Sequence, residues 1–130
     1  MQDARELPGF KKKSFRMPFG GGEIWFEHLD GIYEHTDLAL EKLESDALQF
    51  SRPSMPALLA VNVDETVVTD DLIAAIAENL LHGAKRFTRV VFVGTDRSAK
   101  RKLSSALSGA LFVLNFLRDF EKAKEWLVGK

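Results

Sequence analysis

Two nearly continuous apolar runs, Ala57–Val63 (ALLAVNV) and Arg89–Gly94 (RVVFVG), constrain this chain more than any other feature. Neither alternates apolar with polar residues, so neither has a face suited to water. A strand that is apolar on both faces needs cover on both, and central strands of parallel sheets meet that need. The segments around them read as helices. Thr69–His82 has Thr69 as a cap and Asp70 and Asp71 at the positive end of the helix dipole. Leu72, Ile73, Ile76, Leu80 and Leu81 form its buried side, and Gly83 is a natural stop. A helix from Thr36 or Asp37 to about Phe50 has the stripe Leu40, Leu43, Ala47 and Phe50. A third helix, Arg97–Leu107, is capped by Thr95 or Asp96. A final one follows Asp119, with Phe120, Ala123, Trp126 and Leu127 facing inward.

Ser14–Phe19 alternates with period two, and Glu23–Leu29 follows it across Gly20-Gly21-Gly22. Two short strands around a three-glycine loop predict a hairpin. No Lys-Ser/Thr follows those glycines and no helix opens there, so they are not a phosphate loop. Ser51–Pro56 is a proline-broken connector, and Leu111–Phe116 is the last strand. The order is β-β-α-β-α-β-α-β-α. It predicts an α/β fold with a mixed, mostly parallel five-stranded sheet and about four helices. Residues 1–12 read as a flexible lead-in and residues 13–130 as a single domain.

Bulk composition excludes several functions. The chain has 130 residues and no cysteine, which removes disulfides, thiolate metal sites and a cysteine nucleophile. It is 45% hydrophobic and 28% charged with a net charge of -1, against the balance of a nucleic-acid-binding domain. Nothing approaches the ~18 consecutive apolar residues of a membrane span, and no secretory h-region follows the N-terminus. A cytoplasmic protein is expected. The charges are segregated: Glu23–Phe50 holds eight acidic residues and one lysine, and Lys85–Lys102 seven basic residues and one aspartate. The plain reading is two solvated faces; the sharper one is self-association or a charged partner.

The stretch LLAVNVDETVVTDD, Leu58–Asp71, opens an apolar strand onto four carboxylates and admits three readings. Asn62-Val63-Asp64-Glu65-Thr66 imitates an Asp-x-Asp-x-Thr phosphatase loop, but an amide at Asn62 is a poor nucleophile and a poor magnesium ligand. Asp64, Glu65, Asp70 and Asp71 are hard metal donors, but calcium-loop spacing is absent. A recognition loop at the carboxyl end of a central strand is the third reading, with Thr66 and Thr69 as hydroxyls placed there.

The element order, the capped loop after the third strand and the closing FEKAKEWL (Phe120–Leu127) resemble the anti-sigma-factor antagonist (STAS) fold, and most of all its SpoIIAA-like branch. The likeness covers roughly residues 13–128, in pattern more than in identity. It implies a regulatory, non-enzymatic interaction module. The family's phosphorylated serine falls here on Asp70, a permanent carboxylate, with Thr69 adjacent. The branch is associated with apolar ligands or membrane surfaces.

Three more groups bear on function. Arg97, Lys100, Arg101 and Lys102 open the third helix, where cations oppose the dipole, and suit phosphate or anionic headgroups. Lys11, Lys12 and Lys13 are candidates to join them. With Leu103, Ala106, Leu107, Ala110, Leu111 and Phe112 behind, Arg97–Phe112 also reads as a basic amphipathic helix. Phe15, Phe19, Trp25 and Phe26 at the hairpin are candidates for an apolar pocket or dimer surface. His28, His35 and His82 match no metal spacing and form no triad. The expectation is a protein-binding module acting through Asp64, Glu65, Thr66, Thr69, Asp70 and Asp71. Its alternative is a carrier or sensor of an apolar or anionic lipid-like ligand, peripheral to the inner membrane. No enzyme activity, cofactor, metal or nucleic acid is expected; a homodimer is admitted.

Overall fold

The computed structural model describes residues 4–19, 22–50, 57–82 and 87–129. The glycine turn at Gly20-Gly21, the connector Ser51–Pro56 and the helix stop at Gly83 lie outside the described residues. The elements run α1 (Pro8–Lys11), β1 (Phe15–Phe19), β2 (Gly22–His28), α2 (Thr36–Phe50) and β3 (Ala57–Asn62). They continue through α3 (Asp70–His82), β4 (Phe87–Val93), α4 (Arg97–Ala106), β5 (Val113–Leu117) and α5 (Phe120–Val128). The sheet order is β1-β2-β3-β4-β5, with β1 antiparallel to β2 and every other pair parallel. The mixed, mostly parallel α/β sheet expected from the apolar runs is present.

Sequential parallel order with right-handed crossovers puts every connecting helix on one face. There α2 packs on α3 and α3 on α4. Their inner sides meet Trp25, Leu29, Leu59, Val61, Val90 and Phe92 of the sheet in the main core. The opposite face has α5 alone, packed on β3, β4 and β5 through Ala123 and Leu127. Five strands at ~4.8 Å spacing span more than 20 Å, and one helix is only ~10 Å wide. That face is therefore left open at its β1 end, where Phe15, Met17 and Phe19 are about half exposed.

Three boundaries differ from the sequence reading. The expected lead-in carries a single 3-10 turn (Ala4–Glu6) and α1, and Gly9 is buried. A Cβ at Gly9 would lie 2.3 Å from the Asp30 carbonyl oxygen, so this close approach admits only glycine. The third helix stops at Ala106 with Leu107 as its C-cap, and β5 starts at Val113. Leu111 and Phe112 thus belong to neither element, and no continuous amphipathic helix runs from Arg97 to Phe112. Leu111 is fully exposed.

Candidate functional site

The acidic loop is a continuation of the β2–β3 ladder. Beyond His28 and Asn62 the two chains stay side by side. Leu29 N donates to Asn62 O (2.8 Å), Gly31 N to Asp64 O (2.8 Å), Tyr33 N to Glu65 O (2.9 Å) and Val67 N to Tyr33 O (2.8 Å). Both hydroxyls of the expected recognition loop, Thr66 and Thr69, are consumed by this architecture. Thr66 Oγ1 donates to Leu29 O (2.6 Å) and accepts from Ile32 N (3.0 Å), so it ties one loop to the other. Thr69 Oγ1 accepts from Leu72 N (3.2 Å), an N-cap bond of α3. Asn62 Oδ1 accepts from Asp64 N (3.0 Å), a turn-forming role. Asp70 is ion-paired to Lys102 of α4 at 2.7 Å. Asp64, Glu65 and Asp71 are left exposed at the carboxyl ends of the strands. Beside them Tyr33 is 47% and Val67 53% exposed.

Tyr33 (φ 55°) and Glu65 (φ 56°) both adopt the left-handed conformation that side chains disfavour. They face each other across the paired loops, and Tyr33 Oη lies 3.4 Å from Glu65 Oε2. The cross-loop bonds hold this costly backbone in place. Gly94 at the end of β4 supports the loop from below: its φ is +84°, and a Cβ there would lie 2.6 Å from Asp64 Cα.

The basic residues of α4 divide. Arg97 and Lys100 line a cleft of about 390 Å³ at the carboxyl ends of β4 and β5, joined by Arg118, which sequence reading missed. Asp96 in this cleft is occupied with capping, accepting from Ala99 N at 2.7 Å. Lys102 turns away to Asp70, and Arg101 is exposed. Lys11, Lys12 and Lys13 line a different cleft at the β1 end of the sheet. Asp37, Glu41, Glu44 and Asp46 of the acidic block sit on α2 and Arg97, Lys100, Arg101 and Lys102 of the basic block on α4, with α3 between the two helices, and the Lys102–Asp70 pair is where α4 cations meet α3 carboxylates.

The hairpin aromatics do not converge. Trp25 is buried on the helix-covered face. Phe26 is buried on the opposite face, with Phe15 stacked on it at 4.8 Å. Phe19 is exposed farther along β1. His28 is buried between Phe15 and Phe120, with ring centroids 5.9 and 5.6 Å away, and its Nδ1 is 3.2 Å from Asp30 Oδ1. Burial opposes ionisation of Asp30, but its bonds with His28 and Lys12 outweigh burial and hold it below the usual carboxylate range. Among the described residues no three His, Asp or Glu side chains converge as for a metal ion.

The most perturbed carboxyl among the described residues was not read from the sequence. Glu27 is 1% exposed under α2, and no donor makes a well-formed hydrogen bond to either carboxyl oxygen. Lys42 Nζ is 3.9 Å away. Burial, then a hydrogen bond to Asp46 and the Asp46 charge, push Glu27 up to about 10 despite Lys42. Lys42 itself is 8% exposed and donates to Ser14 Oγ (2.9 Å) and Asp46 Oδ2 (3.2 Å). A serine beside a buried lysine suggests nucleophilic catalysis. Here, however, Ser14 Oγ also accepts from His28 N (2.9 Å) and donates to Asp46 (2.9 Å). Its lone pairs are filled, and Lys42 donates to it. A signal existed. Glu27 lies two residues from Trp25 and from Leu29 on one strand face, and Lys42 shares the α2 stripe with Leu38 and Leu43. Opposite charges at facing core positions imply a buried pair.

No protein-family model, no curated protein and no solved structure matches this chain.

Proposed function

We propose that the protein is a STAS-like, non-enzymatic interaction module. Its recognition surface is the paired loops at the carboxyl ends of β2 and β3. One observation carries this reading: Tyr33 and Glu65, both exposed, are held at positive φ by a ladder of cross-loop bonds. Strain of ~1–3 kcal/mol per residue at an exposed loop has no use in stabilising the fold, and such strain gathers where chains meet ligands. The residues it presents, Tyr33, Asp64, Glu65 and Val67, combine an aromatic anchor, an apolar neighbour and two carboxylates. They suit a protein partner with a basic, partly apolar surface. Thr66 and Thr69 serve as a staple and a cap, so recognition depends on the permanent carboxylates rather than on a phosphorylated hydroxyl.

The test is capture of a partner from lysate by the wild type and by Asp64→Lys/Glu65→Gly, with thermal melts in parallel. The doubly substituted chain is expected to melt no lower, because glycine relieves the positive φ, and to lose the partner. Capture that survives in the variant rules this surface out.

A second reading rests on the cleft of Arg97, Lys100 and Arg118, which suits a phosphate or anionic lipid headgroup. Among the described residues no helix is long and apolar enough to cross a membrane, so any lipid contact would be peripheral. Flotation with anionic vesicles that is unaffected by Arg97→Glu/Arg118→Glu excludes this site.

A further inference from the structure

The cleft at the β1 end measures about 550 Å³, within the range of small-molecule sites. Its lining holds more cations than carboxylates. Lys11–Lys13, Arg16 and Lys42 outnumber the two carboxylates, Glu41 and Asp46. Lys11 and Lys12 are balanced from outside by Glu6 (2.6 Å) and Asp30 (3.1 Å). Lys13 has no ion pair among the described residues. Arg16 lies over the Trp25 ring at 5.4 Å, with its Nη1 3.9 Å from Glu23 Oε2, a loose pair that a ligand oxyanion would have to supplement or displace. The floor is Lys42, fixed in place by Ser14 and Asp46. Behind it Glu27, buried, is held in its neutral form, so Asp46 at 3.2 Å is the carboxylate that faces the Lys42 charge. Trp25 and Phe10 supply apolar wall.

We propose that this cleft binds a small organic oxyanion, a phosphate or carboxylate group carried on a flat apolar body. Lys42 and Lys13 neutralise the charged end, Arg16 pairs with it through its guanidinium fork, and Trp25 and Phe10 line the apolar end. Recognition needs both halves, since a desolvated charge holds its partner far better than one in open water. The site is on the opposite side of β1–β2 from the open sheet face, and does not use the Tyr33–Glu65 loops. It stands whether or not those loops bind a protein.

Trp126→Phe leaves Trp25 as the single tryptophan and its fluorescence as the readout. The probes are phenyl phosphate, benzoate and, as the uncharged control, phenol. Phenyl phosphate or benzoate is expected to give a saturable change that phenol does not. Lys13→Glu, at an exposed rim position, should weaken it roughly tenfold or more. Lys42→Met should abolish it; if that variant does not fold, Lys13→Glu and Arg16→Glu carry the test alone. A response equal for phenol overturns the proposal. So does the absence of saturation, a response unchanged in both rim variants, or binding to anionic vesicles with none to free phenyl phosphate.

Discussion

Replacing Glu27 by glutamine removes a charge the fold already refuses to carry. The ordinary value for this carboxyl is 4.5, and burial with the Asp46 charge raises it to about 10. Above pH 4.5 the unfolded chain gives up the proton and the folded chain keeps it. The unfolded state then binds fewer protons, so stability falls as pH rises, until the folded carboxyl also titrates near 10. Each unit is worth about 1.4 kcal/mol, so the loss between the ordinary value and pH 7 has a ceiling of about 3 kcal/mol. Asp46 returns part of it. Burial raises that carboxyl, but its bond with Glu27 and the Lys42 charge outweigh burial and hold it low. Glu27→Gln keeps the shape and has no proton to lose. Urea denaturation of both proteins should show little difference near pH 4.5 and a gain for the variant of about 1–3 kcal/mol at pH 7, rising further by pH 8.5. A variant that is less stable by the same amount at every pH would refute the reasoning. Glu27 would then be an ionised partner of Lys42, and the 3.9 Å contact a working salt bridge.

Other substitutions probe the loop and its support. Gly94→Ala places a Cβ 2.6 Å from Asp64 Cα at a φ of +84°, and should cost about 2–4 kcal/mol in chemical denaturation. Thr66→Val leaves Ile32 N without its side-chain acceptor and should cost about 2 kcal/mol, whereas Thr69→Ala, losing only a cap, should cost about 1. Equal losses would mean that the hydroxyl of Thr66 does not bind the loops together. Asp30→Asn should destabilise at neutral pH and become nearly silent in acid. The stability of a lowered carboxylate is present above its ordinary value of 3.8 and disappears as pH falls through the folded one.

The proposed functions divide the carboxyl edge of the sheet from its β1 end. The three proposed sites share one topology. Strand ends and their loops gather where parallel strands finish, which is where ligands of open sheets bind. The β1 end is different because β1 runs antiparallel and its lead-in folds back over α2, with Arg5 bonded to Glu41 at 2.8 Å. That contact brings the Lys11–Lys13 run to the acidic helix instead of to the basic one.

What the sequence determined by itself was local and periodic. ALLAVNV and RVVFVG had to be interior strands, because no half-exposed element tolerates two apolar faces. Thr69 and Asp119 had to cap helices, and Thr95 or Asp96 a third, where the structure selects Asp96, because short oxygen-bearing side chains at those junctions satisfy amides that nothing else reaches. The tertiary structure decided everything that needed two distant segments to meet. The hydroxyl of Thr66 became a staple only when Leu29 and Ile32 arrived beside it. Leu111 fell outside β5 because the strand begins where it pairs with Arg89, and no local periodicity marks that register. Trp25 and Phe26, neighbours in sequence, ended on opposite faces, since alternate residues of a strand must point apart. Lys42, Glu27, Ser14 and Asp46 became one cluster only through packing, because the energy of a buried charge depends on what surrounds it and not on its position in the chain.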